Sequence, residues 1–193
     1  MSRVVASFVG VICLSSAAAA QTTDSGFGGL ASPSMAVVAR GMHAAIRRNL
    51  AETADAMPAA DYAFKPTPDV RTFGQIIGHV ALGNFLFCSQ AKGEPPPAGA
   101  EAARSASGKA ALVKVLADSL AYCDEVYAAT TDANFGQAIK TPGPGGAARD
   151  ATRGGVLVFN TAHNNEHYGN LAVYLRLRGH VPPSTARTQP AGR

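Results

Sequence analysis

The sequence predicts an all-α protein, a four-helix bundle, and three observations carry that expectation. Apolar residues recur every three or four positions over four long segments, which is the period of an amphipathic helix. Proline- and glycine-rich breaks separate these segments, and a helix interior does not cross such breaks. No segment shows convincing strand alternation, so helices of roughly 20 to 27 residues are expected to bury their apolar stripes against one another.

At the N-terminus, Arg3, the apolar run Val4 to Leu14 and then Ala17-Ala18-Ala19-Ala20-Gln21 read as a secretory signal peptide cleaved after Ala20. The apolar run is about a dozen residues, short of the roughly 20 that cross a bilayer, so no membrane anchor is expected. Ile12 precedes Cys13 where a lipid-attachment signal wants a small residue, which argues against lipidation. The expected location is therefore periplasmic or secreted. Residues 21–32 are rich in Gly, Ser and Thr and read as a flexible leader. The remainder suits one domain, spanning 33–183, that can build its core without help from metal or disulfide.

The first helix is expected from Ser34 to about Met57, with the stripe Met35, Val38, Met42, Ile46, Leu50 and Met57, and Pro58 closes it. Residues 61–71 hold Pro66 and Pro68 and are expected to be non-helical, with Tyr62 and Phe64 tucked against the bundle. The second helix starts at a capping box, Thr72-Phe73-Gly74-Gln75, in which the Thr hydroxyl and the Gln side chain satisfy free backbone donors reciprocally. It runs to about Lys92. Phe73, Ile76, Ile77, Val80, Leu82, Phe85, Leu86 and Phe87 leave it no wide polar face, so it should be the most buried helix. Gly93 and Pro95-Pro96-Pro97 open a linker of about fifteen residues, and the third helix follows from about Gly108 to Ala129 with the stripe Val113, Leu116, Leu120, Cys123 and Tyr127.

Residues 130–151 read as a long loop around the breaker cluster Thr141-Pro142-Gly143-Pro144-Gly145-Gly146. These glycines lack the Gly-Lys-Ser/Thr of a nucleotide loop, so a flexible turn is the better reading than a phosphate cradle. The last helix runs from about Thr152 to Arg178 and stops at Gly179 with Pro182 and Pro183 beyond it. Residues 184–193 are expected to be a disordered tail.

The net charge of +4 falls to +3 when Arg3 leaves with the signal. Lys and Arg are scattered, with no basic stripe interleaved with aromatics, so no nucleic-acid partner is expected. Oligomeric state is left open, a dimer included.

His163-Asn164-Asn165-Glu166-His167 puts two imidazoles at i and i+4, one above the other on one helix face. The stripe Val156, Asn160, His163, His167, Leu171 and Tyr174 turns that face inward, where bundles build metal sites. His79 sits in the most apolar helix, on the row Ile76, His79, Gly83 and Leu86, where an unpaired imidazole is costly to bury. No acidic residue lies between Arg71 and Glu94 to satisfy it, and a metal shared with the pair on the last helix is the economical partner. Three histidines leave coordination positions open, the catalytic rather than the structural pattern. Imidazole ligands suit zinc, nickel, iron or copper, with zinc or nickel favoured as the divalent ion. His43 reads as a boundary residue and His180, after the helix-ending Gly179, as exposed.

The blocks Tyr62-Ala63-Phe64-Lys65-Pro66, Val70-Arg71-Thr72-Phe73-Gly74-Gln75 with His79, Ala162-His163-Asn164-Asn165-Glu166-His167-Tyr168-Gly169-Asn170-Leu171 and Tyr174-Leu175-Arg176 resemble the DinB-like (damage-inducible) superfamily, over nearly all of the mature chain. The resemblance implies a four-helix bundle in up-down-down-up order, with His79, His163 and His167 as ligands of a divalent ion. Relatives include thiol-dependent transferases and isomerases that use low-molecular-weight bacterial thiols, which makes a metal-dependent transferase one implied activity. His163-x-x-Glu166-His167 also fits the inverted zinc-peptidase signature, with Glu166 as base. That reading fails for want of a downstream acidic ligand, since residues 168–193 contain no Asp or Glu. Glu166 lies about 60° around the helix from His163, so support of a ligand or plain exposure suits it better than catalysis.

The implied order also bears on Cys88 and Cys123, the two cysteines left after signal cleavage. In an antiparallel pair they would lie roughly 16 Å apart, too far to bridge. In up-down-down-up order the second and third helices run parallel, the cysteines come level, and a disulfide is expected in an oxidising compartment. Two classes of function stand open: a metal-dependent transferase or hydrolase acting on a small-molecule substrate, and a non-catalytic bundle that binds metal or a small ligand. No catalytic residue is assigned from periodicity.

Overall fold

The computed structural model describes residues 32–142, 145 and 147–189. The signal peptide, all of the leader but Ser32, residues 143, 144 and 146 of the glycine-proline turn, and 190–193 lie outside the described residues. Four long helices carry the fold: α1 (Met35–Ala56), α2 (Phe73–Lys92), α4 (Gly108–Ala129) and α6 (Arg153–Leu177), joined by shorter elements α3 (Gly99–Ser105), α5 (Asp132–Phe135), a hairpin of β1 (Ala138–Pro142) and β2 (Ala148–Thr152), and a final turn α7 (Pro183–Ala186). No described helix is long and apolar enough to cross a membrane.

Cross-helix contacts fix the directions. His43 meets Asp124, and Lys109 reaches the carbonyls of Asp55 and Met57, so α1 and α4 run antiparallel. Gly74 lies against Leu112 and Cys88 against Cys123, so α2 and α4 run parallel. Asn84 bonds Asn164 while Arg71 meets Tyr174, so α2 and α6 run antiparallel. This is the up-down-down-up order.

Local signals set the helix ends. The capping box of α2 is complete, with Gln75 N donating to Thr72 Oγ1 at 3.1 Å and Thr72 N to Gln75 Oε1 at 2.8 Å. Gly93 ends the helix with φ +76°, a left-handed conformation that strains any side chain bearing a Cβ. The larger core cluster gathers Ile46, Leu50, Phe73, Ile77, Val80, Leu116, Leu120, Leu171 and Leu175 from all four helices. Tyr62 is buried against Phe73 and donates to the Ala54 carbonyl at 2.6 Å, and Phe64 meets the Tyr174 ring edge-on, as expected of that segment.

Four expectations are corrected. The stripe of α1 turns away from Met35 and Met42, which are exposed, to Ala36, Ala39, His43, Ile46 and Leu50. Small residues let α1 approach its neighbours, and His43 can be buried because Asp124 receives it. A 3-10 turn occupies Ala59–Ala63, and α3 folds within the linker after Gly93, burying Ala100 and Ala103. The 130–151 loop forms the hairpin, with Lys140 opposite Asp150 and paired to it at 2.6 Å. Finally, the start of the expected tail, residues 184–186, is helical as part of α7 rather than disordered. Ser184 bonds Tyr168, Thr185 receives Arg176, and Arg187 pairs with Glu52 on α1.

Candidate metal centre

α2 and α6 bring His79, His163 and His167 together. One potential ligand atom from each imidazole lies within 4.8 Å of the others. Nε2 of His79 and Nε2 of His163 are 3.1 Å apart, close to the roughly 3.3 Å between two nitrogens bound tetrahedrally to one zinc-sized ion. Without an ion the same distance is a hydrogen bond in which one neutral ring donates to the other. His167 stands edge-on to both, with ring centroids 4.7 Å from His79 and 4.4 Å from His163.

The site's electrostatics keep these rings neutral. Burial lowers the pKa of His79, and Arg71 and His163 lower it further. Burial lowers His163 as well. His167 is pushed down to about 4, first by burial and then by the two neighbouring histidines. Neutral imidazole is the ligating form. The buried Nδ1 atoms of His163 and His167 have no hydrogen-bond partner, and each unsatisfied buried polar atom costs about 1–3 kcal/mol. The donor set fits a divalent ion: three neutral nitrogens converge, and among the described residues no carboxylate oxygen joins their cluster.

Besides its contact with His79, packing orients His163. Phe87 meets it edge-on at 5.3 Å, and Phe159, 57% exposed, packs on Phe87. Gly83 makes the room, since a Cβ there would stand 2.8 Å from His163 Cε1. Two clefts reach the triad. One, about 580 Å³, opens on His79 between Gln75, Leu82 and Leu112. The other, about 600 Å³, opens on His167 and is lined by Asp69, Arg71, Ile76, Asn170 and Tyr174.

The remaining polar residues fall elsewhere. Glu166 is exposed, although its charge is felt by all three rings. Asn84 is buried between Ser119 and Asn164. Asn160 lies 3.8 Å from both sulfurs of Cys88 and Cys123, and Tyr168 is occupied with Ser184. The Cys88 and Cys123 Cα atoms are 5.5 Å apart and the sulfurs are at disulfide distance. His180 is half-buried. His43 is not a boundary residue: it is 2% exposed, stacks on Tyr127 at 4.0 Å and meets Asp124 at 2.9 Å. Sequence reading gave no role to Arg71, Gly83 or Phe87. Gly83, a glycine inside an apolar helix one turn from His79, was the signal available, because such a glycine marks close approach.

The DinB superfamily matches the chain over residues 42–171. No curated protein matches it. Two solved structures share its fold. A DinB-like protein from Bacillus subtilis is 20% identical with a TM-score of 0.58, the alignment covering 74% of this chain and 92% of the other. A DinB-like protein from Bacillus cereus ATCC 10987 is 14% identical with a TM-score of 0.60, covering 74% and 94%.

Proposed function

The chain belongs to the DinB superfamily, and from that premise we propose that it is an exported metalloprotein whose His79, His163 and His167 hold one divalent ion, zinc or nickel, for group transfer or hydrolysis on a small molecule. The observation that carries this reading is the convergence of three neutral imidazoles from two helices beside two clefts. Bound there, a divalent ion would supply a Lewis acid with open positions for water or a substrate atom. The chain's own contributions are plainer. The rings offer nitrogen lone pairs that protons contest weakly, Gly83 and Phe87 fix the His163 ring, and Phe87 with Phe159 walls the His163 side against water.

One observation favours the second reading, a non-catalytic bundle that binds metal or a small ligand. Glu166, Asn84, Asn160 and Tyr168, each within five positions of one of the histidines, line neither cleft. Elemental analysis of untagged mature protein, followed by thiol-transfer and ester-hydrolysis screens, tests both. One ion per chain with turnover that disappears in His163→Ala supports the enzyme. One ion without turnover supports the binding protein, and metal-free protein that takes up no zinc or nickel refutes the metalloenzyme and the metal-binding form of the second reading.

A further inference from the structure

Arg71 is the residue at the triad that neither the fold nor metal ligation explains. It stands immediately before Thr72, the N-cap of α2, and its carbonyl accepts the Tyr174 hydroxyl at 2.7 Å, which fixes the backbone on the rim of the His167 cleft. Arg47, Arg48, Arg104, Arg178 and Arg187 pair with carboxylates; of the arginines without such a pair, Arg71 is the one that shares a cleft with a triad histidine. Among the described residues the Arg71 guanidinium pairs with no carboxylate, although Asp69 lines the same cleft. It lines the same cleft as His167.

Charge arithmetic gives this placement a consequence. Three neutral histidines bring no negative charge to a divalent ion, and a fixed cation beside that ion raises the local positive potential further. What neutralises both is an anion lying between them. A guanidinium offers a planar fork that matches a carboxylate in two parallel hydrogen bonds, and Asp69 on the same rim disfavours a doubly charged group. We propose that the cleft between Arg71 and His167 takes the carboxylate of a small-molecule ligand or substrate, another atom of which reaches the ion held by the three histidines. This rests on the metal reading above and names the substrate class for that site.

The test uses mature protein loaded with cobalt(II), whose sulfur-to-metal charge-transfer absorption reports a bound thiol, and two probes, 3-mercaptopropionate and its uncharged amide. Affinities of both are measured for wild type, Arg71→Gln and Arg71→Lys. The Arg71 side chain is exposed and makes no ion pair in the fold, so the variants should fold and bind cobalt as the wild type does. The acid-to-amide affinity ratio should fall about tenfold in Arg71→Gln, the lower end of what a charge-assisted hydrogen bond contributes, while amide affinity stays unchanged. Arg71→Lys, which keeps the charge without the fork, should fall between. An unmoved ratio in Arg71→Gln overturns the inference alone, as does a loaded protein that binds neither probe. Protein that takes up no cobalt overturns the metal reading, and this inference with it.

Discussion

Gly83→Ala should separate the stability of the fold from the integrity of the metal centre, because the structure sends its two effects in opposite directions. A Cβ at position 83 would stand 2.8 Å from His163 Cε1, where ordinary contact begins near 3.4 Å, and 3.4 Å from the Phe87 ring. The His163 ring must therefore withdraw by about 0.6 Å or more, and as the far end of a side chain it can swing at little cost to the fold. Its Nε2 then leaves the 3.1 Å approach to His79. Displacing one ligand on this scale should weaken metal binding about 10- to 100-fold, the range seen when groups that orient a ligand are lost. Alanine meanwhile favours the helix interior over glycine by about 0.5–1 kcal/mol, so the metal-free variant should unfold at the wild-type temperature or up to about 4 °C above it. Thermal unfolding in excess chelator gives the first quantity, and competition against a chelating indicator gives the second. Wild-type metal affinity in Gly83→Ala would refute the argument, since His163 would then bind from a position the added methyl does not disturb. A metal-free variant that melts several degrees lower would show that the methyl is resisted by packing rather than by a movable ring.

Four further outcomes follow from the same structure. His79→Ala, His163→Ala and His167→Ala should each lose most bound metal by elemental analysis, whereas His43→Ala and His180→Ala should keep it; full occupancy in His79→Ala would dissolve the three-residue site. The metal-free protein should lose stability on acidification from about pH 6.5 toward 4, because His79, His163 and His167 have folded-state pKa values below the unfolded value, near 4 for His167; the unfolded chain takes up protons first, so the contribution is complete above about 6.5 and declines below it. Denaturant titrations at pH 7.5, 5.5 and 4.5 check this, and a slope as steep in His167→Ala as in wild type would contradict it. Thiol titration of unreduced, denatured protein should find no free thiol, and reduction should cost about 4 kcal/mol for a loop closed between residues 35 apart, less any strain; two free thiols would reject the bridge. Asp124→Ala should destabilise the fold by about 1–3 kcal/mol by leaving the buried His43 without its partner, and chemical denaturation that finds no loss would mean His43 satisfies itself another way.

What the sequence determined by itself was what neighbours along the chain decide. Thr72 and Gln75 cap α2 through bonds that span three residues, and Pro58 and Gly179 punctuate their helices for reasons confined to one turn. The His163 and His167 pair was legible for the same reason, since spacing along one helix places two rings on one face whatever surrounds it. His79 was legible as a costly burial that lacked a local partner. Family resemblance rather than spacing supplied the parallel run of α2 and α4, and with it the level placement of Cys88 and Cys123.

Only the tertiary structure could decide the rest, because the deciding atoms come from elsewhere in the chain. His43 is in the core because Asp124, 81 residues away, receives it and Tyr127 stacks on it. Residues 138–152 carry no alternating apolar pattern, yet they pair as a hairpin through Lys140 and Asp150, with Ile139 and Ala151 packed on the smaller core cluster around Cys88, Cys123 and Leu157. Arg71 is one more scattered basic residue in the sequence until the antiparallel approach of α2 and α6 sets it in a cleft with His167. Periodicity reports which face of a helix is apolar. Which charges face one another across two helices depends on their register and direction, and packing fixes those over distances that no local signal spans.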